Sequence, residues 1–166
     1  YIKDLFEKAD DILNFKLSEI ILNGPKEKLD LTENTQPAIF LLSYCIFETI
    51  KRETILNLNE AEYFAGHSLG EYSALAASNS LTFEDTIQLL KTRGQSMQNA
   101  LPKGEGGMLA ILGEEINTIS TLLNENETKY KCYIANDNSN GQIVVSGKIK
   151  DIDLLIEDLK KNKIKN

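Results

Sequence analysis

One histidine, His67, and two cysteines, Cys45 and Cys132, are spread through 166 residues. The cysteines stand far apart, with no C-x-x-C spacing and no histidine partner at ligand distance. Neither a zinc site nor a structural disulfide is therefore expected, and no metal site at all. Reduced, buried thiols in an intracellular protein, of the cytoplasm or of an organelle such as a plastid or mitochondrion, are the expectation instead. No apolar run is long enough to cross a bilayer: the longest, residues 38–47, is interrupted by Ser43. No basic stretch with a following apolar segment opens the chain, so no signal peptide is visible and no membrane partner is expected. Positive charge is also scarce, with 18 Lys and Arg against 25 Asp and Glu and a net charge of −7. A phosphate backbone needs a basic surface, which argues against a general nucleic-acid binder.

What is present suits one domain with a small subdomain. Residues 1–14 place Ile2, Leu5, Phe6, Ala9, Ile12 and Leu13 at helical spacing. A short helix over 17–22 runs into the Gly–Pro stop at "NGP". The segment 36–55, with Thr32, Asn34 and Thr35 before it and Pro37 in its first turn, reads as a long helix buried on most sides. "AEYFAG" has the texture of a short strand, "GEYSALAAS" of a helix, and Thr82 caps another helix over "FEDTIQLLKTRGQSMQNA". Past "GEGG" the pattern becomes strand, helix, strand, turn at "DNSNG", strand and helix, which is most of a split βαβ unit lacking its last strand. The domains expected are 1–103 and 104–166, with the boundary near 103–107 and the beginning of the last strand in "KNKIKN".

The chemistry concentrates in "AGHSLGEY". A G-x-S-x-G pattern between a strand and a helix is the signature of a nucleophile elbow. The glycines let strand and helix backbones approach, the turn lifts the Ser68 hydroxyl, and the N–H of Leu69 at the helix start can stabilise an oxyanion. His67 is poorly placed as base, because neighbouring side chains on a tight turn diverge. It reads as a packed residue that shapes the elbow. A Ser–Asp–His order needs a later histidine, and none follows.

"AGHSLGEYSALAA", "RGQSMQNALPKGEGGMLAILG" and "ANDNSNGQIVVSG", in this order and at this spacing, resemble the malonyl-CoA:acyl carrier protein transacylase family. The resemblance covers essentially the whole chain. It implies an α/β fold: an α/β-hydrolase-like large acyltransferase domain, here partial, with an inserted ferredoxin-like small subdomain. It implies an acyltransferase of fatty-acid synthesis that needs no cofactor. Such an enzyme moves malonyl from malonyl-CoA, through a malonyl-Ser68 ester, to the phosphopantetheine thiol of acyl carrier protein. A monomer is expected. The family's G-Q-G strand and its catalytic histidine have no match in these residues, so the chain alone is expected to be inactive.

The resemblance also assigns roles. Arg93, an isolated helical arginine by pattern alone, matches the family residue that grips the free malonyl carboxylate; a guanidinium does this through two parallel hydrogen bonds. Met97, core filler by default, lines the acyl pocket, and His67 stands beside the substrate. Asn136 and Asn138, turn formers first, belong to a loop that meets the pantetheine arm. Glu71 and Tyr72 carry no assigned chemistry. Lysines 148, 150, 160, 161, 163 and 165 form a basic stretch suited to an acidic carrier protein. Two other readings compete: a serine esterase with the same elbow, which leaves Arg93 unexplained, and a non-catalytic paralogue that only binds carrier protein.

Overall fold

The structure, a computed structural model, describes residues 1–102 and 104–166, and of Asn59 only the backbone. It divides into two compact units, Tyr1–Ala100 and Leu101–Asn166. Of the boundary expected at 103–107, Lys103 lies outside the described residues. Among the described residues no helix is long and apolar enough to cross a membrane.

The first unit contains α1 (Ile2–Leu13), α2 (Leu17–Asn23), α3 (Lys26–Leu29), α4 (Thr32–Glu53), a short turn of helix at Leu58–Glu60, α5 (Leu69–Ala77) and α6 (Phe83–Asn99). Its core gathers Ala9, Leu17, Phe40, Leu41, Cys45, Ile87 and Leu90. Polar side chains complete the helix starts. Asp10, buried on α1, accepts from the Ser18 N–H at 2.9 Å and from its hydroxyl at 2.6 Å, so α1 caps α2. The Thr82 hydroxyl accepts from the Asp85 N–H, as the sequence leads one to expect.

Three expectations for this unit are corrected. The long helix begins at Thr32, so Pro37 sits in its second turn; α3, which has no apolar periodicity of its own, was not foreseen. That helix is not buried on most sides: Ile39, Leu42 and Ile46 form an exposed stripe, because no other element of the unit covers that face. Residues 61–66 are not a strand. They run irregularly, with Tyr63 88% exposed, and the unit offers no second extended segment among the described residues for them to pair with.

The second unit is β1 (Gly106–Leu112), α7 (Ile116–Glu125), β2 (Cys132–Ser139), β3 (Gln142–Lys148) and α8 (Ile149–Lys161). Its sheet has the order β1-β3-β2, antiparallel throughout. Ile111, Ile143, Val145, Leu155 and Leu159 are fully buried in its core. The hairpin between β2 and β3 is tighter than "DNSNG" suggests: Ser139 pairs with Gln142, and Asn140 and Gly141 make the turn, Gly141 at φ 83°. Asn136 and Asn138 consequently lie on β2 rather than in a loop, among two irregularities of register. The tail returns to the free edge of β1, where the Leu112 N–H donates to the Lys165 carbonyl at 2.8 Å.

Candidate active site

Ser68 adopts φ 53° and ψ −117°, a backbone conformation that residues with a Cβ rarely hold. It is the residue from which α5 starts. The amides of Gly70 and Glu71 turn back to the carbonyls of His67 and Ser68 at 2.9 and 3.1 Å, closing the bend. Among the described residues no acceptor takes the Leu69 N–H, so it is free to meet an incoming oxygen. The two glycines of the motif differ. A Cβ on Gly66 would lie 1.9 Å from the Gly70 carbonyl oxygen, whereas a Cβ on Gly70 would meet nothing within 4 Å. Close approach is therefore the requirement at Gly66 alone.

The Ser68 hydroxyl is exposed and accepts a hydrogen bond from Arg93 Nη2 at 3.1 Å. Arg93 comes from the middle of α6, which the α4–α6 packing holds in place. Gly94 faces the first turn of α4, where a Cβ would come within 2.6 Å of the Glu33 Cα and 2.7 Å of the Thr32 carbonyl oxygen. This close crossing sets Gln36 of α4 against Arg93, whose Nη1 donates to Gln36 Oε1. The other end of the amide donates to Met97 Sδ at 3.2 Å. The guanidinium also lies 5.9 Å over the Tyr72 ring of α5, within the reach of a cation–π contact. Serine, guanidinium, amide, thioether and phenol thus form one polar cluster at the start of α5: an exposed hydroxyl beside a permanent positive charge.

The chain matches the family described as "Acyl transferase domain" over residues 2–166. It is 41% identical over 161 residues to the malonyl CoA-acyl carrier protein transacylase of Bacillus subtilis, covering 96% of the chain and 50% of that protein. The chain belongs to the acyl transferase family. A relative of the same name from Haemophilus influenzae is 40% identical over 144 residues, covering 87% of the chain and 46% of the relative. Among solved structures, the acyl-carrier-protein-S-malonyltransferase of Bartonella henselae superposes with a TM-score of 0.89 at 38% identity, over 99% of this chain and 52% of that one. A type II PKS acyl-carrier protein in complex with its malonyl-transacylase gives 0.87 at 32% identity, with 99% and 52% covered. The chain spans about half the length of the relatives it matches.

Within this acyl transferase chain the anticipated residues fall into two groups. Ser68, Leu69, Arg93 and Met97 belong to the first unit and cluster around the elbow, with His67 on the same turn. His67 is exposed, not packed as expected, because it lies on the turn at the end of a stretch, 61–68, that is exposed throughout. Met97 is not core filler: it is 49% exposed and is engaged by Gln36. Asn136 and Asn138 belong to the second unit, where Asn138 Nδ2 approaches Gln142 Oε1 at 3.4 Å. Gln36, and the Tyr72 ring beside Arg93, were not anticipated. The available signal for Gln36 was a polar residue at the head of an otherwise apolar helix, a place that reads as a cap in sequence.

The six lysines do not make one patch. Lys150 and Lys160 sit at opposite ends of α8, roughly 15 Å apart at helical rise. Lys161 pairs with Asp158. Lys148 and Lys150 instead join Lys129 and Lys131 around an open cavity of about 940 Å³ that Tyr133, Glu127 and Asp151 also line. The cysteines occur as free buried thiols, each pushed above its ordinary pKa by burial.

Proposed function

We propose that this chain supplies the nucleophile and the carboxylate clamp of a malonyl-CoA:acyl carrier protein transacylase. The observation that carries the reading is the hydrogen bond from Arg93 Nη2 to Ser68 Oγ. It sets a permanently charged, fork-shaped donor within one bond of the hydroxyl on the turn. A short acyl group esterified to that hydroxyl has its far end within reach of the fork when it carries a carboxylate. An esterase has no use for such a cation at this place. The names of the relatives, both malonyl CoA-acyl carrier protein transacylases, support the same substrates.

The reaction is a two-step exchange. Ser68 Oγ attacks the thioester carbonyl of malonyl-CoA, its proton passing to a general base that the resemblance assigns to a histidine of the family. The carbonyl oxygen takes up negative charge opposite the Leu69 N–H, at the positive end of α5. As the carbonyl re-forms, the carbon–sulfur bond breaks and coenzyme A leaves as a thiol. The malonyl-Ser68 ester keeps its carboxylate on Arg93 until the phosphopantetheine thiol of a carrier protein attacks, and Ser68 regains its proton. No step calls for a cofactor.

The finer fold reading belongs to the same proposal. We take the first unit as part of an α/β-hydrolase-like acyltransferase domain, and the second as a ferredoxin-like subdomain. The antiparallel order β1-β3-β2 and the tail pairing on the far edge of β1 support the latter. The function is tested by intact mass after incubating the full-length protein with malonyl-CoA. One malonyl adduct is expected, absent in Ser68→Ala. Equal labelling of the alanine variant removes Ser68 from the nucleophile role.

A further inference from the structure

Gln36 is 3% exposed, and both ends of its buried amide are engaged. Its two ends are used by different partners, and they fix its orientation. Arg93 Nη1 is a donor, so the atom facing it is the carbonyl oxygen, and the NH₂ group must face Met97 Sδ, where it lies at 3.2 Å. Gln36 holds one prong of the fork and leaves the other, Nη2, on Ser68 Oγ.

A carboxylate in this place would hold the same nitrogen more strongly. It would also offset the charge of the half-buried Arg93 in a close ion pair, leaving the guanidinium less attraction for a second anion. An amide orients without neutralising. We infer that Gln36 is the positioning residue of the carboxylate clamp, and that its neutrality keeps Arg93 selective for an acyl group bearing a free carboxylate. The inference rests on the acyl-transfer reading above. Met97 is the second support of the arrangement: its sulfur occupies the amide NH₂, so Gln36 is kept from turning its donor toward Arg93.

A merely structural Gln36 would affect folding and overall rate alike for every acyl group. A neutral tether would act on selectivity. The test compares Gln36→Glu and Gln36→Met with the parent, in the intact protein, by initial rates of Ser68 acylation from malonyl-CoA and from acetyl-CoA, with thermal unfolding as the folding control. Gln36→Glu is expected to lower malonyl acylation, through KM, at least tenfold more than it lowers acetyl acylation. Gln36→Met keeps the volume and removes the acceptor; it is expected to lose malonyl preference by a smaller factor, and it serves if the glutamate variant fails to fold. A parent that takes acyl groups while both folded variants keep its malonyl-to-acetyl ratio overturns this inference alone. A parent that takes no acyl group from either thioester overturns the acyl-transfer reading and this inference with it.

Discussion

Arg93 donates through Nη2 to Ser68 Oγ at 3.1 Å across a sequence separation of 25 residues, from the middle of one helix to the start of another. The contact exists because α4 and α6 cross closely at Gly94, and because α5 begins in a bend that leaves the hydroxyl exposed. The proposed nucleophile and the proposed carboxylate clamp are therefore positioned by different helices of one unit. Changes in the packing between those helices should be read in the chemistry.

Arg93→Ala should weaken malonyl transfer and narrow the preference for malonyl over acetyl. Loss of a charge-assisted hydrogen bond costs about 1.5–3 kcal/mol, roughly ten- to a hundredfold in rate. Arg93→Lys should not restore selectivity, because one ammonium cannot hold Gln36 and the substrate carboxylate in the same fork. Competition between the two thioesters measures this, and an unchanged ratio in Arg93→Ala would remove the clamp.

The two glycines of the motif should respond oppositely to alanine. At position 66 the new methyl would lie 1.9 Å from a carbonyl oxygen, so the turn must open, with a cost of about 1–3 kcal/mol expected from backbone strain of this kind. Gly70 lies in the first turn of α5 at an ordinary φ with open space around it, and alanine there should gain up to about 1 kcal/mol in helix propensity. Thermal unfolding of the two variants of this chain decides. Equal destabilisation would mean that the motif is read wrongly at Gly70.

The sequence pattern of the second unit was legible because each strand alternates or is β-branched and each helix has a clear apolar face. Ile143 and Val145 on β3, and Ile152, Leu155 and Leu159 on α8, show this directly. The tight bend at Ser68 was legible for another reason, though not the strand expected before it: Ser68 lies between glycines, and Gly66 is dictated by a backbone contact that no other residue permits. Residues 61–66 were misread because an apolar run carries no information about whether a strand partner exists. Gln36 escaped because its function depends on a contact with Arg93, 57 residues away, that local periodicity does not encode. The lysines of α8 misled for a geometric reason, since adjacency in sequence is not adjacency around a helix.

Acid should expose the Lys129–Asp158 pair of the second unit. Lys129 Nζ donates to the two Asp158 oxygens at 2.6 and 2.5 Å, and Lys161 adds a third bond at 3.3 Å. The hydrogen bond from Lys129 is the leading reason that the Asp158 carboxyl is held below its ordinary pKa, with partial burial opposing it. A carboxyl that binds its proton less readily when folded contributes fully above the unfolded-state value, 3.8, and loses that contribution as pH falls through the lower folded value. Asp158→Asn should therefore lower the melting temperature at neutral pH and flatten its decline below about pH 4. An acid limb of the same steepness in both proteins would show that the pair does not couple to folding.

The chain of 166 residues, taken alone, should bind malonyl-CoA weakly and transfer almost nothing. The hydrogen bond that reaches Ser68 Oγ among the described residues comes from Arg93, a permanent cation that cannot accept the serine proton. The chain's one histidine is the residue next to Ser68, exposed on the same tight turn, where adjacent side chains diverge. Lack of a positioned base forfeits on the order of a hundred- to ten-thousandfold in rate. The resemblance expects a second oxyanion donor beside the Leu69 N–H, from a G-Q-G strand that has no match in these residues, and loss of one such donor typically removes roughly another hundredfold or more. Arg93, oriented by Gln36, remains intact and should still attract the malonyl carboxylate. Calorimetric titration should therefore detect binding while single-turnover mass analysis finds negligible malonyl-Ser68, and the full-length protein should be labelled rapidly. Acylation of residues 1–166 at a rate near that of the full-length protein would mean that a base within this chain serves Ser68. His67 would then be the residue to substitute first.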